Sequence, residues 1–186
     1  AICQGNPGGF FDVLREVTSE PGTNIRYFIQ NMLKPIVSAY YPGCRILVVG
    51  DPAGVQRSQT DGSTCFKELR NAGFRAIPAK TNALAARIAA VDTLLTTNIK
   101  ERGSDILVPR FRLSPSCSML RKGLATEYKY PETHSQYGDI IRPTVLKNEY
   151  SHICEALQYA CLGYEKIHMA ANADYAQEIV RFARQR

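Results

Sequence analysis

Residues 44–54 read CRILVVGDPAG, and this stretch decides the fold class. Its first six residues are almost wholly apolar, which is typical of a β-strand that is buried on both faces of a sheet. Such a strand belongs in the centre of the sheet. Asp51 follows it between two glycines, at the strand end where open α/β sheets bind their ligands. We therefore expect a functional carboxylate here, although an Asp at this position can also merely cap the next turn.

Strand and helix patterns alternate on both sides of this central strand. The predicted elements are hairpin strands at 1–4 and 10–17, a helix at 24–41, a helix at 63–72, a strand at 74–79 and a helix at 84–97. Thr23 or Asn24 caps the first helix, and Pro35 predicts a kink within it. This order of strands and helices is typical of an α/β fold.

The second half of the chain continues the pattern less regularly. The predicted elements are an edge strand at 105–111, a helix at 115–124, a long loop or ragged hairpin at 127–146, a helix from Asn148 or Ser151 to Leu162, and a polar terminal helix within 164–186. Pro109 indicates an edge strand because proline has no N–H for a ladder. Gly163 is expected to end the helix before it.

The composition indicates one globular domain over residues 1–186, with 45% hydrophobic and 22% charged residues. The sequence has no apolar run of membrane-spanning length, so we expect no membrane partner.

The six cysteines are scattered and lack CxxC spacing, so we expect them to be reduced residues that serve packing, in a reducing, cytoplasmic compartment. Cys154 and Cys161 share one helical face and are expected in the core. Because the chain begins at Ala1, we expect it to be part of a longer polypeptide.

Basic residues exceed acidic ones by six over the whole chain. Residues 100–130 contain seven basic and three acidic residues. A candidate phosphate-binding stripe comprises Arg110, Arg112, Arg121, Lys122 and Lys129, interleaved with Phe111, Tyr128 and Tyr130. Clustered lysines and arginines bind DNA phosphates. A solvated basic face is the alternative.

Carboxylates form the candidate catalytic and metal-ligating set. Glu155 lies three residues after His152 on one helical face; it is either a metal ligand or a core residue that pairs with a lysine. Glu16 shares a strand face with Asp12, and Asp61 lies in the polar loop after Asp51. Hard divalent cations take oxygen ligands from separate elements in this way. The simpler interpretations are a solvent-facing strand edge for Glu16 and a turn for Asp61.

Three motifs resemble one known family. They are GDPAGVQRSQTDGSTCF at 50–66, PAKTNALAARIAAVDTLL at 78–95, and KNEYSHICEALQYACLG at 147–163, preceded by Arg142 and Pro143. Together they resemble the nuclease domain of the large terminase subunit of tailed double-stranded DNA phages, in the headful-packaging branch. The resemblance runs from Ala1 to about Gly163.

The resemblance implies an RNase H-like (resolvase/integrase-type) fold, in which helices flank a mixed five-stranded sheet. It also implies a two-metal endonuclease that uses Mg²⁺ or Mn²⁺ to cut concatemeric viral DNA in the host cytoplasm. Asp51, Glu155, Glu16 and His152 are then the candidate catalytic residues, and Asp51, Glu155, Glu16 and Asp61 the candidate metal ligands. The candidate DNA-binding residues are Arg57, Lys80, Arg110, Arg112, Arg121, Lys122 and Lys147. Double-stranded DNA, the terminase ATPase domain, the small terminase subunit and the portal protein are the implied partners.

Two positions depart from the family pattern. The family has Asp where this chain has Glu155, which is longer by one methylene. Its first catalytic Asp precedes a hairpin like that of residues 1–17, so we expect that acid to lie upstream, or Glu16, Asp12 or Asp61 to replace it. The alternative to an endonuclease is a non-catalytic module that grips DNA or docks on the portal; a Holliday-junction resolvase would share the fold but lacks support in the motifs.

Overall fold

The computed structural model describes residues 1–6, 8–56, 63–101, 103–130 and 145–164. Its elements are β1 (Ile2–Gly5), β2 (Phe11–Arg15), α1 (Ile25–Phe28), a π-helical turn (Ile29–Leu33), α2 (Lys34–Tyr40), β3 (Leu47–Gly50), a 3₁₀ turn (Pro52–Val55), α3 (Cys65–Asn71), β4 (Arg75–Pro78), α4 (Leu84–Thr96), β5 (Asn98–Lys100), β6 (Leu107–Pro109), β7 (Phe111–Leu113), α5 (Ser118–Lys122), a second π-helical turn (Gly123–Glu127) and α6 (residues 151–164). The predicted α/β class is confirmed. The predicted long loop and terminal helix fall largely on residues 131–144 and 165–186, which lie outside the described residues.

Hydrogen bonding joins the described strands in three groups. In the first, β2 pairs antiparallel with β1 and parallel with β7. In the second, β3 and β4 run parallel, and in the third β5 and β6 run antiparallel. None of the described helices has the length and apolarity needed to span a membrane.

The predicted hairpin is confirmed, and Asn6 shapes its turn. The Asn6 side-chain oxygen accepts hydrogen bonds from the backbone N–H groups of Gly8 and Phe10 at 3.0 and 3.3 Å. Gly9 has φ of +87°, a conformation that residues with a Cβ rarely adopt. The turn therefore needs both the amide and the glycine that the sequence supplies.

The first long helix begins where the sequence predicts, but Pro35 changes its winding. Asn24 caps it by accepting a hydrogen bond from the Arg26 N–H at 2.8 Å. Because Pro35 has no N–H to donate to the carbonyl four residues earlier, the regular ladder is interrupted. The Lys34 N–H donates to the Ile29 carbonyl instead, which makes the turn before Pro35 π-helical.

The predicted strand at 44–49 is confirmed as β3, but it is neither fully buried nor central, since among the described strands it pairs only with β4. β3 covers residues 47–50, and all four are half-buried rather than fully buried. Its side chains nevertheless reach opposite faces, as alternation requires. Val48 packs against the small core that contains Ile29 and Phe66, whereas Val49 faces Gly163 of α6.

The main core surrounds α6. Its buried members are Phe11, Val13, Ala90, Val91, Leu94, Cys117, Leu120, Ile153, Cys154, Leu157 and Cys161. They come from β2, α4, the N-cap and first helical turns of α5, and α6, and α6 contributes four of them: Ile153, Cys154, Leu157 and Cys161. The prediction that Cys154 and Cys161 are core residues is confirmed.

Residues 105–111 form two strands where the sequence predicts one. The backbone N–H of Arg110 donates to the Thr97 carbonyl, and the Arg110 carbonyl accepts from Phe11. The chain therefore changes partners at Arg110, from β5 to β2. The segment that contains Pro109 pairs only with β5 among the described strands, as an edge strand should.

Gly163 does not end α6, contrary to the prediction, because the helix continues to residue 164. Gly163 instead lies in close contact with Val49, because a Cβ at this position would lie 2.5 Å from Val49 Cγ2. The missing side chain lets α6 approach β3.

Glu16 connects the hairpin to α5. Its two carboxylate oxygens accept hydrogen bonds from the backbone N–H groups of Met119 and Leu120, each at 2.9 Å. The first N–H groups of a helix have no partner within it, and a negative charge at that end is favourable. Glu16 therefore caps α5 from a distant part of the chain.

We expect Glu16→Gln to lower the free energy of unfolding by about 1 kcal/mol, because one acceptor and the charge are lost at the end of α5. Urea denaturation measures this. Glu20→Gln, which neutralises an exposed carboxylate four residues further on, is the control. Equal stability of the two variants would contradict the capping role.

We also expect Gly163→Ala to destabilise the protein by about 1 to 3 kcal/mol, because the added methyl group collides with Val49. In an unconstrained helix the same change would stabilise by up to about 1 kcal/mol. Combining it with Val49→Ala should recover part of the loss, measured as a thermal denaturation midpoint. If the double variant is as unstable as the sum of the single changes, the contact is not the cause.

Candidate functional site

Asp51 stands directly after β3 and begins the 3₁₀ turn at Pro52–Val55. Its Oδ1 accepts a hydrogen bond from the Ala53 N–H at 2.8 Å. This is the turn-capping role that the sequence left open as the simpler alternative. The carboxylate is half-buried, at the end of β3 that lies opposite Pro78 of β4.

Glu155 lies in the middle of α6 and is surrounded by positive charge. Its Oε1 accepts a hydrogen bond from Lys147 Nζ and lies 4.0 Å from Arg87 Nη1 of α4. The side chain is only 18% exposed. The pairing with a lysine is thus observed.

Tyr159 brings these two acids into one site. Its hydroxyl donates to Asn82 Oδ1 at 2.5 Å, which ties α6 to the segment before α4. The pKa of Tyr159 is raised to about 12: burial is the largest cause, the charge of Arg87 opposes it, and interactions with Asp51 and Glu155 add to it. We call Asp51, Asn82, Arg87, Glu155 and Tyr159 the Tyr159 cluster.

Arg87 is the least expected member of the Tyr159 cluster. It is only 8% exposed, and its guanidinium lies 5.1 Å above the centre of the Tyr159 ring. Its Nε and Nη1 form no hydrogen bond within the described residues.

Two further buried polar groups border the cluster. Burial raises the pKa of Tyr128, which lies near Gln158 and near the charges of Glu155, Arg87 and Lys147. The Tyr128 hydroxyl and Gln158 Oε1 lack hydrogen-bond partners of good geometry within the described residues. Buried polar atoms without partners thus concentrate at this one place.

The other predicted acids lie apart from this cluster. Glu16 caps α5, and Asp12 forms a two-pronged ion pair with Arg112, whose hydrogen bonds lower the pKa of the Asp12 carboxyl. His152 is exposed, one turn before Glu155. Asp61, like Arg57, lies outside the described residues. Within the described ranges, no three Asp, Glu, His or Cys side chains are arranged to hold a metal ion.

Three predicted DNA-binding residues have partners within the protein. Arg110 donates to the Gly9 carbonyl at 2.8 Å and to the Tyr164 hydroxyl at 3.2 Å. Arg112 pairs with Asp12 and lies 4.0 Å above the Phe10 ring. Lys122 Nζ donates to the Tyr150 hydroxyl at 2.9 Å.

Lys80, Arg121 and Lys129 are exposed. Lys80 follows Ala79, whose N–H donates to the Gly50 carbonyl, so it lies at the same strand ends as Asp51. Lys147, the remaining candidate among the described residues, contacts Glu155.

Sequence reasoning missed Arg87, Asn82 and Tyr159 as site residues. A signal for Arg87 was present: it lies three residues after Leu84 and four before Val91, on the face of α4 that is buried. A charged residue at such a position needs a specific partner. Asn82 and Tyr159 gave no comparable signal, because only the fold brings them together.

The chain was compared with protein-family models, with curated proteins and with solved structures, and none of the three comparisons finds a match.

Proposed function

We propose that this chain is a metal-dependent DNA endonuclease domain that hydrolyses phosphodiester bonds of concatemeric viral DNA during packaging. The observation that carries the proposal is the packing of β3 against α6, where Val49 meets Gly163: Asp51 directly follows β3, and Glu155 and Tyr159 lie one turn apart in α6. These two acids are far apart in sequence and come from a strand end and a helix. The terminase-like motifs contain both of them.

The two carboxylates of the Tyr159 cluster are suitable ligands for a hard divalent cation, since Mg²⁺ and Mn²⁺ prefer carboxylate oxygens. Asp51 and Glu155 would hold such an ion, and Asp61 is the candidate third ligand. The Ala53 N–H donates to Oδ1 of Asp51, and Lys147 and Arg87 lie beside Oε1 of Glu155. Bound ions supply an activated water and stabilise the charge on the leaving oxygen.

The exposed lysines beside the two acids are suited to bind the phosphates of the proposed DNA substrate. Lys147 is 63% exposed beside Glu155, and Lys80 is exposed at the strand ends beside Asp51. Phosphate contacts of this kind hold a duplex without reading its bases. We therefore expect cleavage with weak sequence preference.

The biological setting of the proposal comes from the resemblance alone. It comprises an RNase H-like fold, an upstream ATPase domain, a small terminase subunit and a portal protein as partners, and action in the host cytoplasm on DNA that is not yet packaged.

A second candidate function is a module that grips DNA without cutting it. One observation favours it: Lys147 and Arg87 already neutralise Glu155, as in a structural ion pair. Incubation of the chain with supercoiled plasmid and Mn²⁺, with and without EDTA, separates the two functions. Nicking that EDTA abolishes supports the endonuclease, and binding without nicking supports the grip module.

We expect Asp51→Asn to reduce plasmid nicking at least about a hundredfold while the fold is retained, because the amide oxygen can still cap the Ala53 N–H but carries no charge. Asp92→Asn, which neutralises an exposed acid on α4, should nick at the parental rate. Nicking by both variants at the same rate would remove Asp51 from the site.

We expect Lys147→Gln to strengthen Mn²⁺ binding and Glu155→Gln to weaken it about tenfold or more, since the cation and the lysine compete for one carboxylate. Glu155→Asp should retain partial nicking. Titration calorimetry measures the affinities, with the exposed Glu149→Gln as the matched control. If Mn²⁺ affinity is the same in all four variants and the parent, and only thermal stability changes, Glu155 has a structural role alone.

A further inference from the structure

Arg87 has an unusual environment for a buried arginine. More than nine-tenths of it is buried, yet Nε and Nη1 find no hydrogen-bond acceptor within the described residues. A guanidinium has only donors, and leaving its N–H groups buried without acceptors is costly. The described residues therefore supply no hydrogen-bond acceptor for Nε and Nη1.

Glu155 does not supply that acceptor. The Arg87 Nη1 to Glu155 Oε1 distance of 4.0 Å exceeds a hydrogen-bond distance. Lys147 Nζ lies closer to the same oxygen, so Glu155 interacts more strongly with Lys147 than with Arg87. The Tyr159 ring lies 5.1 Å from the guanidinium carbon and offers a π-face, which attracts the positive charge but is not an oxygen acceptor.

The missing partner has a defined chemistry. The unpaired donors are those of Arg87, and the neighbouring Tyr128 hydroxyl can donate as well. Native proteins leave few buried polar groups unpaired, and such groups mark the place of a water, an ion or a ligand. Among ligands, an oxyanion matches a guanidinium best, because its charged oxygens accept strong hydrogen bonds.

The cluster also reaches the protein surface. Lys147 is 63% exposed while it contacts Glu155, whose side chain is 18% exposed, so Glu155 borders on solvent beside Arg87. A polyanion held there by an exposed lysine would bring its phosphate oxygens close to the guanidinium.

We propose that Arg87 is a substrate-binding residue that donates hydrogen bonds to a backbone phosphate of DNA, beside the carboxylates of Asp51 and Glu155. The proposal rests on the endonuclease function for the identity of the ligand and adds a residue to that site. Its expected contribution is to hold the phosphodiester against the two acids, which positions the bond to be cut.

The test measures binding in EDTA, so that it does not depend on cleavage. Fluorescence anisotropy with a short blunt-ended DNA duplex gives the affinity at several salt concentrations. Arg87→Gln should weaken binding about tenfold or more and flatten the log-log salt slope by about 0.9, the value for one phosphate contact. Arg75→Gln removes the same charge from the exposed start of β4, at the end of the β3–β4 pair that lies away from Asp51. This control should change neither the affinity nor the salt slope.

A measurement on the unchanged chain covers the case in which Arg87→Gln does not fold. The ¹⁵N NMR signal of Arg87 Nε, assigned with Arg87→Lys, should shift when the duplex is added. An unshifted signal at saturating DNA, or an Arg87→Gln variant with the parental affinity and slope, would overturn the proposal and leave buried water as the partner. If the duplex shifts the signal but plasmid is never nicked, the phosphate contact stands and the endonuclease function falls.

Discussion

Burial of α6 is the constraint on which the arrangement of the candidate site depends. The helix packs against residues of β2, α4 and α5 in the main core, and Gly163 allows it to approach Val49 of β3. Asp51 follows two residues after Val49, and Glu155 lies two turns before Gly163. The same close packing that buries apolar area therefore fixes the spacing of the two acids.

The charge of Glu155 is compensated within the protein. Arg87 and Lys147 both lie beside it, so one carboxylate faces two cations. Removing Glu155 would leave the buried Arg87 without the carboxylate that lies 4.0 Å from it. A phosphate in the site would supply acceptors that Arg87 lacks among the described residues, and a divalent cation would compete with Lys147 for Glu155.

The basic surface is smaller than the charge count suggests. Arg112 is held by Asp12, and Arg110 by Gly9 and Tyr164, so both also hold the hairpin and β7 together. Long cationic side chains often serve packing in this way. Exposed Lys80, Arg121, Lys129 and Lys147 remain as the described residues best placed to meet a polyanion.

The local elements can be predicted from the sequence, because their causes are local. Asn24 caps the first helix, Gly9 shapes the hairpin turn, and the apolar pattern places β3 and α6, together with Asp51 at a strand end. The sequence did not predict β5, whose three residues are too few to show a period, or the continuation of α6 through Gly163.

Which residues meet depends on how distant segments pack against one another. Glu16 had no sequence signal for its role, since the N–H groups that it caps lie more than a hundred residues away. Asn82, Arg87 and Tyr159 likewise become neighbours of Asp51 and Glu155 through the packing of α4 and α6. Local patterns report the conformation of a segment, whereas hydrogen bonds and charges act through space, so the composition of the site follows from the packing of distant segments.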